Sequence, residues 1–191
     1  TAAAINNVPL DQVTKAMRYG AKEVNFGVLY GMGSYGLSWR TGISQFEAKD
    51  FIKKYFETFS GVREYIDRTL EFTKKAGYCE TLFGRRRYLP ELNAANFQLR
   101  AAAERMAVNH PIQGTAADLM KMAMIEVYKN IAGQKNIKMI LQVHDELVLE
   151  AKLGLEKKTA KMLKLVMEGV AELRVPIKVD VHIGTSWGKM K

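Results

Sequence analysis

Arg18, Lys22, Phe26 and Tyr30 recur every four residues in the stretch RYGAKEVNFGVLYG. Each step is slightly more than one helical turn, so the four side chains share one broad helical face, cations first and rings last. Guanidinium and ammonium groups in the early turns suit a triphosphate. Rings about 12 Å further along by helical rise reach a sugar and base. The same spacing also describes an amphipathic helix with Phe26 and Tyr30 in the core and Arg18 and Lys22 in water. Gly20 and Gly27 weigh against that alternative, because each costs about 1 kcal/mol inside a helix and a plain core helix gains nothing from them. Glycine at such positions lets another backbone or a flat ring come close.

A second cluster, His144-Asp145-Glu146, interrupts two apolar runs in KMILQVHDELVLEA. Three consecutive polar side chains are costly to bury, so they are exposed, paired or bound to a cation. Neighbours on a regular strand point to opposite faces, and Asp145 and Glu146 converge on one ion only where a turn bends the backbone. A solvated turn with a stray acidic pair is the plain alternative. Carboxylates are the hard oxygen donors that Mg2+ prefers, and a phosphate-facing helix calls for such an ion. Arg105, Asn109 and Gln113 offer donors to the acceptors of a duplex minor groove, or form an ordinary polar surface. Asp180 and His182 share one strand face, as metal ligands or as a solvated outer face. His110, just before Pro111, reads as structural. There is no Walker loop, dinucleotide fingerprint, cysteine-histidine metal pattern or nucleophile elbow.

The elements that must hold these residues follow from periodicity and caps. Pro9 precedes a helical pattern from about Leu10 to Tyr30, after which Gly31, Gly33 and Gly36 predict a loose joint. Ser44 and Glu47 form a capping-box pattern. Ala48, Phe51, Ile52, Tyr55, Phe56 and Phe59 then repeat at helical spacing as core. Ser60 and Gly61 predict a break, and a second helix through Val62, Tyr65, Ile66, Thr69 and Leu70 ends at Gly77. YCETLFGRRRYLP reads as two short strands around Phe83 and Gly84, and its Arg85, Arg86 and Arg87 either grip phosphates or form a solvated edge. Helices at about Phe97 to Asn109 and Thr115 to Ile131 are expected on either side of Pro111, the second with a Thr115 and Asp118 capping box. The acidic cluster caps a hairpin, a helix spans about Leu155 to Leu173, and IKVDVHIG alternates as a half-buried strand. The expected fold class is α+β, a helical lobe followed by a lobe with a small antiparallel sheet.

Composition bounds the function. The 191 residues are 48% hydrophobic, enough for a sizeable core. A net charge of +9 favours an acidic polymer as partner. No apolar run approaches the ~20 residues of a spanning helix, so no membrane partner is expected. Cys79 is the single cysteine, which excludes an intrachain disulfide and fits a reducing, cytoplasmic setting. Thr1 in place of methionine marks the chain as an expected piece of a longer one.

At these residues the chain resembles the C-terminal part of the family A DNA polymerases, on the bacterial DNA polymerase I branch. The family's R-x3-K-x3-F-x3-YG pattern falls on Arg18, Lys22, Phe26, Tyr30 and Gly31, and its V-H-D-E pattern on Val143, His144, Asp145 and Glu146. ETLFGRRRYLP, RAAAERMAVNHPIQGTAADLMK and QVHDELVLE also read like that family. The resemblance implies helical fingers joined to a partial palm. Residues 1–76 would be fingers, with the nucleotide-binding helix at about 10–30. Residues 77–95 would be a basic hairpin and connection, and 96–191 the palm part. It further implies template-directed DNA synthesis from deoxynucleoside triphosphates on primer-template DNA, in replication and repair.

By the same resemblance Arg18 and Lys22 meet the incoming triphosphate, Lys22 also protonating pyrophosphate, while Phe26 packs near the deoxyribose and Tyr30 beside the nascent base pair. Asp145 is a metal ligand and catalytic residue supported by Glu146, His144 lies near the primer terminus, and Arg105, Asn109 and Gln113 track the minor groove. The family's other metal-binding aspartate comes from a D-Y-S-Q-I-E-L-R-like segment absent here, and TAAAINN reads like the stretch that follows it. The two-metal Mg2+ site would therefore need an aspartate outside this chain, from the upstream thumb-and-palm part, and the piece alone would be inactive. The alternative is a non-catalytic DNA-binding fragment. A phage-type RNA polymerase is disfavoured by Phe26, where those enzymes carry tyrosine.

Overall fold

The computed structural model describes residues 2–6 and 8–190; Thr1 and Asn7 of the opening TAAAINN, and Lys191, lie outside them. The chain forms two compact units, residues 1–80 with 84–111 and residues 81–83 with 112–191. It combines helices with two antiparallel two-stranded sheets, the α+β class expected.

In the first unit α1 (Ala2–Asn6) precedes a 3-10 turn, Leu10–Gln12, and α2 (Lys15–Leu29). The single helix expected from Leu10 is thus interrupted. Val13 and Thr14 are extended, and Thr14 Oγ1 accepts a hydrogen bond from the Met17 amide, so a fresh N-cap restarts the helix. The loose joint expected after Tyr30 is also corrected. Gly31 does take a positive φ of 86°, but Gly36 lies within a further helix, α3 (Ser34–Thr41). Burial of Leu37 against Val24, Val28 and Ala48 supplies the apolar contact that outweighs glycine's low helical propensity.

Ser44 and Glu47 close a reciprocal capping box at the start of α4 (Gln45–Thr58). Phe51, Ile52, Tyr55 and Phe56 pack on the same cluster as Leu37, while Phe59 is mostly outside the core. The break falls at Phe59, with Ser60 and Gly61 forming the first turn of α5 (Ser60–Ala76), which ends at left-handed Gly77 as expected. β1 (Tyr78–Glu80) pairs with β2 (Arg86–Tyr88), and Cys79, Leu89, Leu92, Ala103 and Ala107 make a second core cluster.

Phe97–Ile131 is one continuous helix, α6, with Pro111 inside it. A break at proline was expected because the ring removes an amide donor and crowds the preceding turn, at about 3 kcal/mol. Buried Ala103, Ala107 and Val108 before it, and Ala123 and Val127 after it, hold both flanks helical. Thr115 is therefore no N-cap; its Oγ1 accepts from the Leu82 amide.

In the second unit β3 (Ile137–Val143) and β4 (Glu146–Ala151) form the expected hairpin, with a bulge between Met139 and Leu141. It packs through Met139, Leu147 and Leu149 on Ala123, Val127, Leu163 and Met167. The last two lie on α7 (Glu156–Glu168), which stops at Gly169, short of the expected Leu173. Residues 177–181 alternate half-buried and exposed as predicted, yet make no ladder with another strand among the described residues. Instead the Val179 amide donates to the Glu168 carboxylate, 3.0 Å away.

Candidate functional site

The α2 face is displayed as its spacing demands. Ala21, Val24 and Val28 are buried on one side, which turns Arg18, Lys22 and Phe26 outward. Phe26 keeps 45% of its surface exposed, so it is not the core residue of the amphipathic alternative. It stacks on Tyr30 with ring centroids 6.1 Å apart and planes 13° from parallel. Lys22 Nζ stands 5.9 Å from the Phe26 ring centroid, a cation-π contact that carries the ammonium along the ring face. The result is a continuous strip of cation, cation, ring and ring.

Gly27 and Gly20 differ. The Met32 amide donates to the Gly27 carbonyl at 2.7 Å, and a methyl group on Gly27 would run into the Met32 thioether. Gly20 faces open space, so no close approach explains it. Arg105, half a sequence away, passes beside the end of the strip, its Cγ 3.6 Å from where a Cβ on Gly31 would lie. Asn109 is one turn further along α6, half-buried, and its Oδ1 is buried without a hydrogen-bond partner. Gln113 is exposed and belongs to the second unit.

In that second unit the hairpin turn is two residues long, His144 and Asp145, between paired Val143 and Glu146. His144 adopts φ +54°, a left-handed conformation that costs a non-glycine residue on the order of 1 kcal/mol. Gln142 Nε2 donates to the His144 carbonyl at 2.6 Å, pinning the turn. His144, Asp145 and Glu146 are all exposed. The two acids, adjacent in sequence, both line a cavity of about 240 Å³. Asp180 and His182 line it too, as do Glu156, Thr159 and Trp187. Their spacing of two puts Asp180 and His182 on one strand-like face, but nothing in the sequence ties that face to the turn. No group of three or more His, Cys, Asp or Glu side chains gathers as a metal cluster among the described residues.

The basic run is partly tied down. Arg86 lies over the Tyr78 ring, 4.4 Å from its centroid, and pairs with Glu80 at 3.4 Å, while Arg87 Nη2 reaches the Met106 sulfur. His110 Nε2 lies 3.3 Å from the Arg85 carbonyl, the structural role expected of it. Burial pushes the Cys79 thiol up from its ordinary value, against any reactive role. Two further rings that spacing did not single out, Tyr35 and Trp39, stand 72% and 79% exposed on α3. No helix among the described residues is long and apolar enough to cross a membrane.

Residues 1–189 match the family described as DNA polymerase family A. The thermostable DNA polymerase I of Thermus aquaticus is 50% identical over 187 residues, covering 98% of this chain and 22% of that protein. DNA polymerase I of Bacillus caldotenax is 46% identical over 188 residues, covering 98% and 21%. The chain thus spans about a fifth of the length of these curated relatives. Among solved structures it is similar to the POL domain of Pol1 from M. smegmatis, described in complex with DNA primer-template and dNTP. The TM-score is 0.92 at 42% identity, over 99% of this chain and 34% of that one.

Proposed function

The chain belongs to DNA polymerase family A, and from that membership together with the α2 strip we propose that it is the fingers and part of the palm of an enzyme for template-directed DNA synthesis in replication and repair. The observation that carries this reading is the order on α2: two exposed cations, then Phe26 stacked on Tyr30, with the Lys22 ammonium over the first ring. In the reaction the primer 3′-oxygen attacks the α-phosphorus of a deoxynucleoside triphosphate, a new phosphodiester bond forms, and the bond to pyrophosphate breaks. Arg18 and Lys22 neutralise the triphosphate, and Lys22 gives a proton to the leaving pyrophosphate. Phe26 packs near the deoxyribose and Tyr30 beside the nascent base pair. His144 lies near the primer terminus, and Arg105, Asn109 and Gln113 follow the minor groove.

The donor set fits part of a magnesium site. Mg2+ takes one or two carboxylates and fills its remaining positions with phosphates and water, and Asp145 and Glu146 are two exposed carboxylates on one turn. When bound there, the ion supplies charge neutralisation at the reacting phosphate. A further aspartate for the two-metal arrangement would come from outside this chain, from the upstream thumb and remaining palm. The working compartment of such an enzyme is the cytoplasm.

A second reading needs only the basic surface, a net charge of +9 that suits an acidic polymer. On that reading the chain is a non-catalytic DNA-binding piece. Primer extension separates the two. The pure chain should bind primer-template DNA weakly, with affinity falling steeply in salt as phosphate counterions are released, and should extend nothing. Adding the upstream part should restore Mg2+-dependent extension. Binding without extension after that addition would establish the non-catalytic reading.

A further inference from the structure

Pro111 sits inside α6, where it has no amide to offer the carbonyl of Ala107, four residues back, and its ring crowds that turn. The peptide beside that turn is held from outside the helix. Tyr65, half-buried on α5, donates its hydroxyl to the Val108 carbonyl at 2.8 Å, a bond between residues 43 apart in sequence. A carbonyl oxygen has two lone pairs, so it can serve a helical amide and a side-chain hydroxyl together. Burial pushes the Tyr65 hydroxyl up from its ordinary value of 10.0, which keeps it protonated, and a donor, at neutral pH.

What the bond fixes is a plane. The Val108 carbonyl and the nitrogen and Cα of Asn109 belong to one planar peptide unit, so pinning the oxygen sets the point from which the Asn109 side chain departs. That side chain has no anchor of its own, since its Oδ1 is buried without a hydrogen-bond partner. Arg105, exposed, lies one turn earlier on the same face of α6. We propose that Tyr65 is a positioning residue for primer-template binding, its hydroxyl holding the peptide between Val108 and Asn109 so that Asn109 meets the minor groove in one orientation. The inference rests on the reading of Asn109 as a minor-groove contact, and Tyr65 acts through that residue without touching substrate itself.

A double-mutant cycle in the complete polymerase tests this role. Tyr65→Phe keeps the ring and removes only the hydroxyl. It should weaken primer-template binding about fivefold and leave the KM for deoxynucleoside triphosphate within about twofold of the parent. Asn109→Ala should weaken the same binding about tenfold, and adding Tyr65→Phe to it should cost nothing more, because no side chain is left to position. Thr73→Val is the control. It removes another α5 hydroxyl, buried and bonded to the Thr69 carbonyl at 2.7 Å, and should leave primer-template affinity unchanged whatever stability it costs. Unchanged binding by Tyr65→Phe, losses that multiply in the double variant, or the same loss from Thr73→Val would each overturn the positioning role. Asn109→Ala binding as tightly as the parent would instead overturn the minor-groove reading, and the positioning role with it.

Discussion

The α2 strip and the β3–β4 turn both present charged groups on the surface, and they do so in opposite ways. On α2 the alignment follows from the helical period. Any residues four apart would line up, the backbone is unstrained, and buried Ala21, Val24 and Val28 fix the helix from behind. At the turn alignment runs against the local geometry. Consecutive residues on a strand diverge, and the turn that presents Asp145 and Glu146 carries a strained residue, His144 at φ +54°. A periodic site tolerates substitution of single members; a strained site depends on each backbone position.

The sharpest way to break that comparison is to delete one charge from each region of the complete polymerase. Asp145→Ala removes the proposed metal ligand and should reduce primer extension more than a thousandfold with DNA binding retained. Lys22→Ala removes one of two cations that share a load, and should cost about 1.5–3 kcal/mol, some ten- to hundredfold in incorporation. Equal losses would mean that both regions act as single points of failure. A Lys22→Ala loss confined to DNA affinity would move the strip from the triphosphate to the duplex.

The support behind α2 is a larger target than the strip itself. Leu37 is 1% exposed, and Leu37→Ala should destabilise the first unit by about 2–5 kcal/mol through the transfer and cavity terms. Amide exchange in α2 to α4 should quicken while the β3–β4 hairpin, in the other unit, stays protected. Loss of protection in both would show that the units unfold together.

What the residues made legible follows the same division. The capping box at Ser44, the Gly77 stop, the strands around Phe83 and the acidic hairpin were all readable because each depends on contacts within a few residues. Pro111 reads as a break because the forces that keep α6 helical through it come from buried alanines and valines packing on distant elements. IKVDVHIG shows the alternation but no ladder, since alternation reports only which side is buried and pairing requires a second chain segment. α3 is illegible in the sequence because Gly31, Gly33 and Gly36 mask a helix whose buried residue is the single Leu37. The α2 strip was legible by spacing alone, whereas Asp180 and His182 on the acidic cavity needed the third dimension.

A smaller effect tests the local contacts that were legible. Ser44→Ala should cost about 1 kcal/mol by removing the cap of α4. It should also change the pH profile. Hydrogen bonds from the Ser44 hydroxyl, then from its amide, hold the Glu47 carboxyl below its ordinary value of 4.5. A depressed carboxyl stabilises the fold above its unfolded value and loses that contribution as pH falls through the folded one. The variant should therefore lose less stability than the parent between neutral pH and acid below about 4.5. An unchanged slope in pH-dependent denaturation would show the box to be idle in solution.

The smallest effect bears most directly on the contrast between free and strained alignment. His144→Gly removes the side chain that clashes at positive φ, a gain on the order of 1 kcal/mol, and adds unfolded-state freedom that offsets about half of it or more. The net should be a stabilisation of at most about 0.5 kcal/mol, read as a small rise in the denaturant midpoint. On the proposed reading, extension by the complete polymerase should nevertheless fall, because glycine relaxes the turn that holds Asp145 and removes the imidazole proposed to lie near the primer terminus. His144→Asn separates these two losses, since asparagine accepts the left-handed conformation while lacking the ring. Activity kept by asparagine and lost with glycine would locate the requirement in the backbone. A glycine variant that is both more stable and fully active would show that the strain serves nothing, and the difference between the two regions would reduce to one of secondary structure.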